Sequence, residues 1–118
     1  MLYETRFILA LIQTVVIETA VLIFLIRHIY RLDKNKLSKS LLLTTGFFVS
    51  FATLPYLWFI LPAYISNVFA YVLVGELSVI LLEAIIYYLL LKLSFKKTII
   101  ISFVCNLFSF LLGLLIIL

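Results

Sequence analysis

Four long runs of apolar residues divide the chain, and polar residues concentrate in the short segments between them. The runs cover residues 7–26, 41–61, 67–91 and 98–118. Each is close to the ~20 mostly apolar residues that an α-helix needs to cross a bilayer. The pattern predicts an all-α protein with four transmembrane helices that form one domain over residues 1–118. Pro55 interrupts the second run, so we expect that helix to be kinked.

Composition points the same way. Of the 118 residues, 67% are hydrophobic and 12% are charged, whereas soluble domains have about 45–50% apolar and about 25% charged residues. No stretch is both long and polar, so any water-exposed part should be a loop. The net charge of +4 is not interpreted as a nucleic-acid-binding surface, because of where the cations lie.

Basic residues occur almost entirely in the first and third connections. They are Arg27, Arg31, Lys34, Lys36 and Lys39, followed by Lys92, Lys96 and Lys97. Because cytoplasmic loops carry an excess of Lys and Arg, loops 27–40 and 92–97 are predicted to be cytoplasmic and both termini to lie outside the cell membrane. Tyr3, Tyr56, Trp58, Tyr64 and Tyr71 would form an aromatic belt at the outer interface. We expect the lipid bilayer as a partner, with anionic headgroups against the basic segment 27–39.

The two halves of the chain resemble each other. Glu18 precedes Arg27 by nine residues, and Glu83 precedes Lys92 by the same number. Gly46, Ser50 and Thr53 are spaced like Ser102, Asn106 and Ser109. We therefore expect two parallel-repeat helical hairpins, over residues 7–61 and 67–118, related by a pseudo-twofold axis. Transporters built this way hold their sites at the repeat interface near the midplane.

Three glutamates, Glu18, Glu76 and Glu83, lie within the predicted spans. A charged side chain at the bilayer centre costs at least ~2.5 kcal/mol, and such residues usually face a partner or a cavity. No Lys or Arg within the spans is placed to pair with them, so proton or small-cation exchange is the simplest role. The alternative is that the glutamates are neutral and hydrogen-bonded, with Asn106 as a partner of Glu83.

Further polar residues share helix faces with these glutamates. Tyr87 follows Glu83 by four residues, and Thr14 precedes Glu18 by four, so each pair shares a helix face. These two residues complete the set of polar-core candidates with the three glutamates and Asn106. Small residues on the second and fourth helices are predicted to serve helix packing; they are Gly46, Ser50, Ser102, Ser109 and Gly113.

Enzyme chemistry finds no support in the sequence. The chain contains no glycine-rich phosphate loop, metal-ligand cluster or nucleophile–base pair. Cys105 is the single cysteine and has no base nearby, and His28 beside Arg27 is interpreted as an interfacial anchor. We therefore expect no enzyme activity, no cofactor and no metal centre.

Several of these motifs also resemble a recurring group of small, uncharacterised four-helix prokaryotic integral membrane proteins. The resemblance lies in Gly75-Glu76, Glu83-Ala84, Thr53-x-Pro55-x2-Trp58 and Ser102-x3-Asn106-x2-Ser109-x3-Gly113. An Asn typical of the group is replaced here by Ser50. The resemblance implies a prokaryotic cell membrane and links Glu76, Glu83 and Asn106 as one set; it implies nothing for Glu18.

Three functions stay open at this point. The first is transport or conduction of protons or small cations at the glutamates, and the second is a non-catalytic subunit or assembly factor of a larger membrane complex. The third is a homo-oligomeric pore, which the small-residue faces would allow. Small multidrug transporters share the length and a glutamate in helix one, but this chain has a stronger charge bias and lacks their glycine-rich context. The environment of Glu83 should discriminate: water or an ion beside it favours transport, and a dry pairing with Asn106 favours a scaffold.

Overall fold

The computed structural model describes residues 2–32 and 35–117, with side chains described as far as Gly113. Within these residues all regular structure is helical, which confirms the predicted all-α fold. The four main helices are α1 (Tyr3–Phe24), α2 (Lys39–Pro55), α3 (Val68–Leu91) and α4 (Phe95–Ile117). All four are long and apolar enough to cross a membrane, as in a multi-pass membrane protein. Lys34 of the basic connection, Met1 and Leu118 lie outside the described residues.

Local sequence explains where the helices begin and end. The side chains of Ser38 and Asn67 accept hydrogen bonds from the backbone N–H of Leu41 (3.2 Å) and Ala70 (3.0 Å), so they cap α2 and α3. Lys92 ends α3 in a left-handed conformation with φ 56°, the usual way for a helix to stop. The predicted spans were shorter than α1 and α4, because polar residues at the helix ends fall outside an apolar window.

The helices form a ring in chain order. Helix α1 packs against α2 and α4, and α3 packs against α4 and, less extensively, against α2. Hence α1 and α3 are diagonal to each other across the bundle. Both run in the same direction, as a parallel repeat requires.

The bundle has two different ends. The basic end carries residues 30–32, 35–38 and 92–94 of the two connections, whereas the aromatic end carries Tyr3, Trp58 and Tyr64. Near the basic end the interior is a buried apolar cluster. Its buried members are Leu22, Leu25, Ile26, Leu37, Leu42, Val49, Tyr87, Leu91, Ile101 and Cys105.

Pro55 changes the course of the second span. Helix α2 ends at Pro55, and a π-helical turn (Tyr56–Ile60) and a 3₁₀ turn (Leu61–Ala63) follow. Proline has no N–H, so Pro55 cannot bond the carbonyl oxygen of Phe51 and the regular α-helical ladder is interrupted at this point. The hydroxyl groups of Tyr71 and Tyr3 donate to the carbonyl oxygens of Leu57 (2.5 Å) and Trp58 (2.6 Å) in this turn. These hydrogen bonds tie the π-helical turn to α3 and α1.

Candidate functional site

A partly open cavity of about 280 Å³ lies inside the bundle, on the aromatic-end side of the apolar cluster. All four spans contribute to its wall, and three of the lining residues are glutamates: Glu18, Glu76 and Glu83. Among the described residues that line it there is no Lys, Arg or His. From the level of Glu18 the lining reaches Ala10, about 12 Å along α1 at 1.5 Å per residue. The cavity is therefore acidic at its inner end and extends toward the aromatic end.

Helix direction explains why the two innermost glutamates point into this space. Side chains on a helix lean toward its N-terminus. Because α1 and α3 both begin at the aromatic end, Glu18 and Glu83 lean from the middle of the bundle toward the cavity. Glu18 is 2% exposed and Glu83 is 1% exposed.

Glu83 is hydrogen-bonded through both carboxyl oxygens. The Asn106 amide Nδ2 donates to Oε1 at 2.8 Å, and the Thr53 hydroxyl lies 2.7 Å from Oε2. Asn106 is itself anchored, since Nδ2 also donates to the Ser102 carbonyl oxygen at 2.8 Å. The hydrogen bond expected between Asn106 and Glu83, which would favour a scaffold if the pair were dry, is thus present, and helices α2 and α4 hold this carboxyl from two sides. The pair is not sealed from the cavity, because Glu83 and Asn106 both line it.

Thr53 gives this arrangement a useful property. Its hydroxyl lies 2.9 Å from the Val49 carbonyl oxygen as well as 2.7 Å from Glu83, but a hydroxyl has only one hydrogen. If Glu83 is charged, Thr53 can donate to it. If Glu83 is protonated, Glu83 can donate to Thr53 while Thr53 donates to Val49. The carboxyl group therefore keeps a partner on this side in either protonation state.

Glu18 has a different environment. Its carboxyl group lies beside the Glu83 carboxyl group and near the Ser109 hydroxyl. Its Oε1 atom is buried and has no hydrogen-bond partner among the described residues. Two carboxyl groups that share a buried site cannot both be ionised without strong repulsion. The pair Glu18–Glu83 is therefore built to hold at least one proton, or a cation in its place.

The remaining polar candidates divide into those inside and those outside the cavity. Glu76 is half-buried and lines the wall, as does Thr14. Tyr87 does not line it: this side chain lies in the apolar cluster beside Cys105, one turn closer to the basic end. Its hydroxyl has no hydrogen-bond partner among the described residues, so the polar stripe expected on α3 ends at Glu83.

Residues expected to serve packing fall into two groups. Gly46 allows α1 and α2 to approach closely, since an added β carbon would lie 3.2 Å from the Thr19 α carbon. Ser102 joins α4 to α3 by donating to the Ile80 carbonyl oxygen at 2.6 Å. In contrast, Ser109 and Gly113 line the cavity. Small residues suit both close packing and an open wall, and spacing alone does not distinguish these roles.

The internal repeat is visible in the polar neighbours of the two glutamates. Thr53 on α2 contacts Glu83 on α3, and the repeat-related Ser109 on α4 contacts Glu18 on α1. The symmetry fails at one pair of positions. Asn106 bonds Glu83, whereas its counterpart Ser50 is fully buried with a hydroxyl group that has no partner among the described residues.

Thr53 and Gly75 are two of the cavity residues that the predicted site residues omit. The sequence places Thr53 in the repeat, and its match there to Ser109 is a usable signal for a site residue. Gly75 has no side chain and lets Leu57 approach, because an added β carbon would lie 2.9 Å from Leu57 Cδ2. This second contact depends on the π-helical turn and had no signal in the sequence.

No family model, curated protein or solved structure matches this chain. Within residues 2–32 and 35–117, no group of three or more His, Cys, Asp or Glu side chains is arranged to hold a metal ion. The site must therefore be interpreted from its own geometry.

Proposed function

We propose that this protein takes up and releases protons or small cations at the Glu18–Glu83 pair, as a step in transport or conduction. The observation that carries the proposal is a pair of adjoining carboxyl groups, buried within the helical bundle, that line a cavity with no cationic side chain among its described residues. Uncompensated negative charge in such surroundings is strongly unfavourable. A proton or a cation is the compensation that the protein itself does not supply.

The shape of the cavity indicates the side from which the ion enters. The lining extends from the acid pair to Trp58 and Tyr71 at the aromatic end, whereas the apolar cluster closes the basic end. Uptake from the aromatic end therefore requires no rearrangement of the apolar cluster. Passage to the basic end requires a second conformation in which that cluster opens, as alternating-access transport does.

Charge asymmetry supports an orientation for this path. With the basic loops on the cytoplasmic side of a prokaryotic cell membrane, both termini and the aromatic end lie outside. The cavity then faces the cell exterior, and the basic segment 27–39 contacts anionic headgroups of the inner leaflet.

Reconstitution tests the proposal. Purified protein is placed in vesicles that contain a pH-sensitive dye, and a potassium diffusion potential drives ions inward. We expect proton flux above that of empty vesicles, or flux of Na⁺ or K⁺ without a pH change. The double variant Glu18→Gln, Glu83→Gln should lose the flux. Glu4→Gln, an exposed acid in the first turn of α1, is the matched control and should retain it.

The closed basic end also favours a second candidate, a non-catalytic subunit of a larger membrane complex or a homo-oligomer. If no second conformation exists, an ion could pass from the acid pair to the basic end only through a neighbouring subunit. Copurification in mild detergent and crosslinking in native membranes would separate these cases. A stable neighbour supports the complex, self-crosslinks support the oligomer, and a lone monomer that still conducts excludes the need for either.

A further inference from the structure

The two acids of the pair are not equivalent, although the repeat relates them. Glu83 has a partner on each oxygen, from Asn106 and Thr53. Glu18 has one buried oxygen with no partner among the described residues. Resting on the proposed function, we propose that Glu18 is the residue that takes up and releases the proton or cation, and that Glu83 is a positioning residue.

Hydrogen bonds hold the carboxyl group of Glu83 in place. Displacing its carboxyl group would break hydrogen bonds to two helices and leave the Asn106 amide short of an acceptor in a buried site. A buried polar group that loses its partner is costly. Because Thr53 can serve Glu83 in both protonation states, protonation changes at the pair do not require this carboxyl to move.

The carboxyl group of Glu18 is held less firmly, because its Oε1 atom has no partner among the described residues. The last side-chain torsion of a glutamate is broad and roughly twofold. Rotation about it exchanges the two carboxyl oxygens between the buried position and the cavity that Glu18 lines. The rotation breaks no hydrogen bond at Oε1 but moves Oε2 away from Ser109 and Glu83. Glu83 cannot turn without losing the hydrogen bonds from Asn106 and Thr53, so we expect Glu18 to turn more readily toward an incoming ion.

The broken repeat explains the origin of the difference. Asn106 on α4 supplies the amide that holds Glu83, and the matching position on α2 is Ser50. The serine side chain reaches one bond less far than that of asparagine and carries no amide donor. The carboxyl group of Glu18 therefore lacks the amide donor that its repeat partner Glu83 has in Asn106; this donor side chain is called the amide arm below.

Carbodiimide labelling tests the assignment without any flux measurement. Dicyclohexylcarbodiimide adds as a whole molecule to protonated carboxyl groups in apolar surroundings, and peptide mass spectrometry locates the adduct. In membranes that contain the full chain, we expect Glu18 to be labelled about tenfold faster than Glu83, the factor that roughly one hydrogen bond represents. Equal or faster labelling of Glu83, or labelling of neither acid, would overturn the proposal.

Two exchange variants sharpen the test. Asn106→Ser removes the arm from Glu83, so labelling should rise at Glu83. Ser50→Asn supplies the arm to Glu18, so labelling should fall there, with Glu76 as the internal reference in both proteins. If neither variant shifts the ratio of Glu18 to Glu83 labelling, the amide arm does not set the roles and the assignment fails. Labelling confined to Glu18 in a protein that conducts nothing would refute the transport proposal but leave the division of roles intact.

Discussion

In the half of the bundle nearest the basic end, the four helices fill the interior with Leu, Ile, Val and Tyr side chains. In the half nearest the aromatic end, the same four helices leave a cavity of about 280 Å³ lined by three glutamates. The boundary lies at the level of Glu18 and Glu83. Both halves are built from helices of similar apolarity, so the contrast arises from a few positions: Pro55, Gly75 and the small residues of α4.

The contrast teaches where a small membrane protein can place polar groups. Lipid tails are as apolar as a leucine core, so packing and hydrogen bonding must hold the helices together. The apolar half supplies close packing. The acid pair, Thr53 and Asn106 supply hydrogen bonds where this half meets the cavity. The close-packed basic half can therefore support an aromatic half that contains a cavity.

Cysteine accessibility should separate the two halves most strongly. In a Cys105→Ala background, Thr14→Cys lines the cavity and Ile26→Cys replaces a residue that is 0% exposed in the apolar cluster. A charged methanethiosulfonate reagent requires a solvated thiolate, so we expect Thr14→Cys to react about 100-fold faster or more. Reaction is followed by the mass increase of the intact protein.

The lipid-facing surface provides the control for this experiment. Ile12 on α1 is 57% exposed, but a surface in the bilayer core is exposed to acyl chains. Ile12→Cys should react as slowly as Ile26→Cys. Comparable rates at all three positions would mean that the cavity holds no water.

Truncation of a buried leucine should show the next largest difference between the two halves. Leu22 is fully buried in the apolar cluster, whereas Leu54 is buried beside the cavity. Leu22→Ala should lower the free energy of unfolding by about 2–5 kcal/mol, the usual range for a packed leucine. Leu54→Ala should cost less, because it enlarges an existing space. Unfolding in mixed micelles, followed by circular dichroism, gives both values; equal losses would indicate that the two halves are packed alike.

Much of this architecture was predictable from the sequence. The four spans follow from apolar run length, and the meeting of Glu18 with Glu83 follows from the repeat, since equivalent positions on diagonal helices face the same axis. The bond from Asn106 to Glu83 was also expected. These features depend on residue type and period, which the sequence displays directly.

The cavity was not predictable in the same way. A void depends on how far apart backbones lie, and apolar periodicity does not encode that distance. The stripe on α3 suggested that Tyr87 joins the polar site, yet it packs in the apolar cluster because the helices close around it. Ser109 and Gly113 fit a packing face equally well, and only the course of the chain after Pro55 shows that they border open space.

Removal of the amide arm should have a smaller effect that compares the two repeats directly. Asn106→Ala leaves Glu83 without a donor to Oε1 and should cost about 1–3 kcal/mol of unfolding free energy. Ser50→Ala removes a buried hydroxyl that has no partner among the described residues, so it should be neutral or slightly stabilising. The same micelle titration measures both. A similar loss in the two variants would show that Ser50 has a polar partner in the membrane.

The mouth of the cavity should show the smallest effect. Tyr71 on α3 donates its hydroxyl to the Leu57 carbonyl oxygen in the π-helical turn. Tyr71→Phe keeps the ring but deletes this bond, which should lower the unfolding free energy by about 0.5–1.5 kcal/mol and loosen the turn after Pro55. Tyr64, which is 83% exposed at the same end, provides the matched control, and Tyr64→Phe should change nothing measurable. Hydrogen exchange of the amides in residues 56–60 distinguishes the two variants: faster exchange in Tyr71→Phe alone means that α3 holds the π-helical turn in place, whereas unchanged exchange means that the turn is set by Pro55 without help from α3.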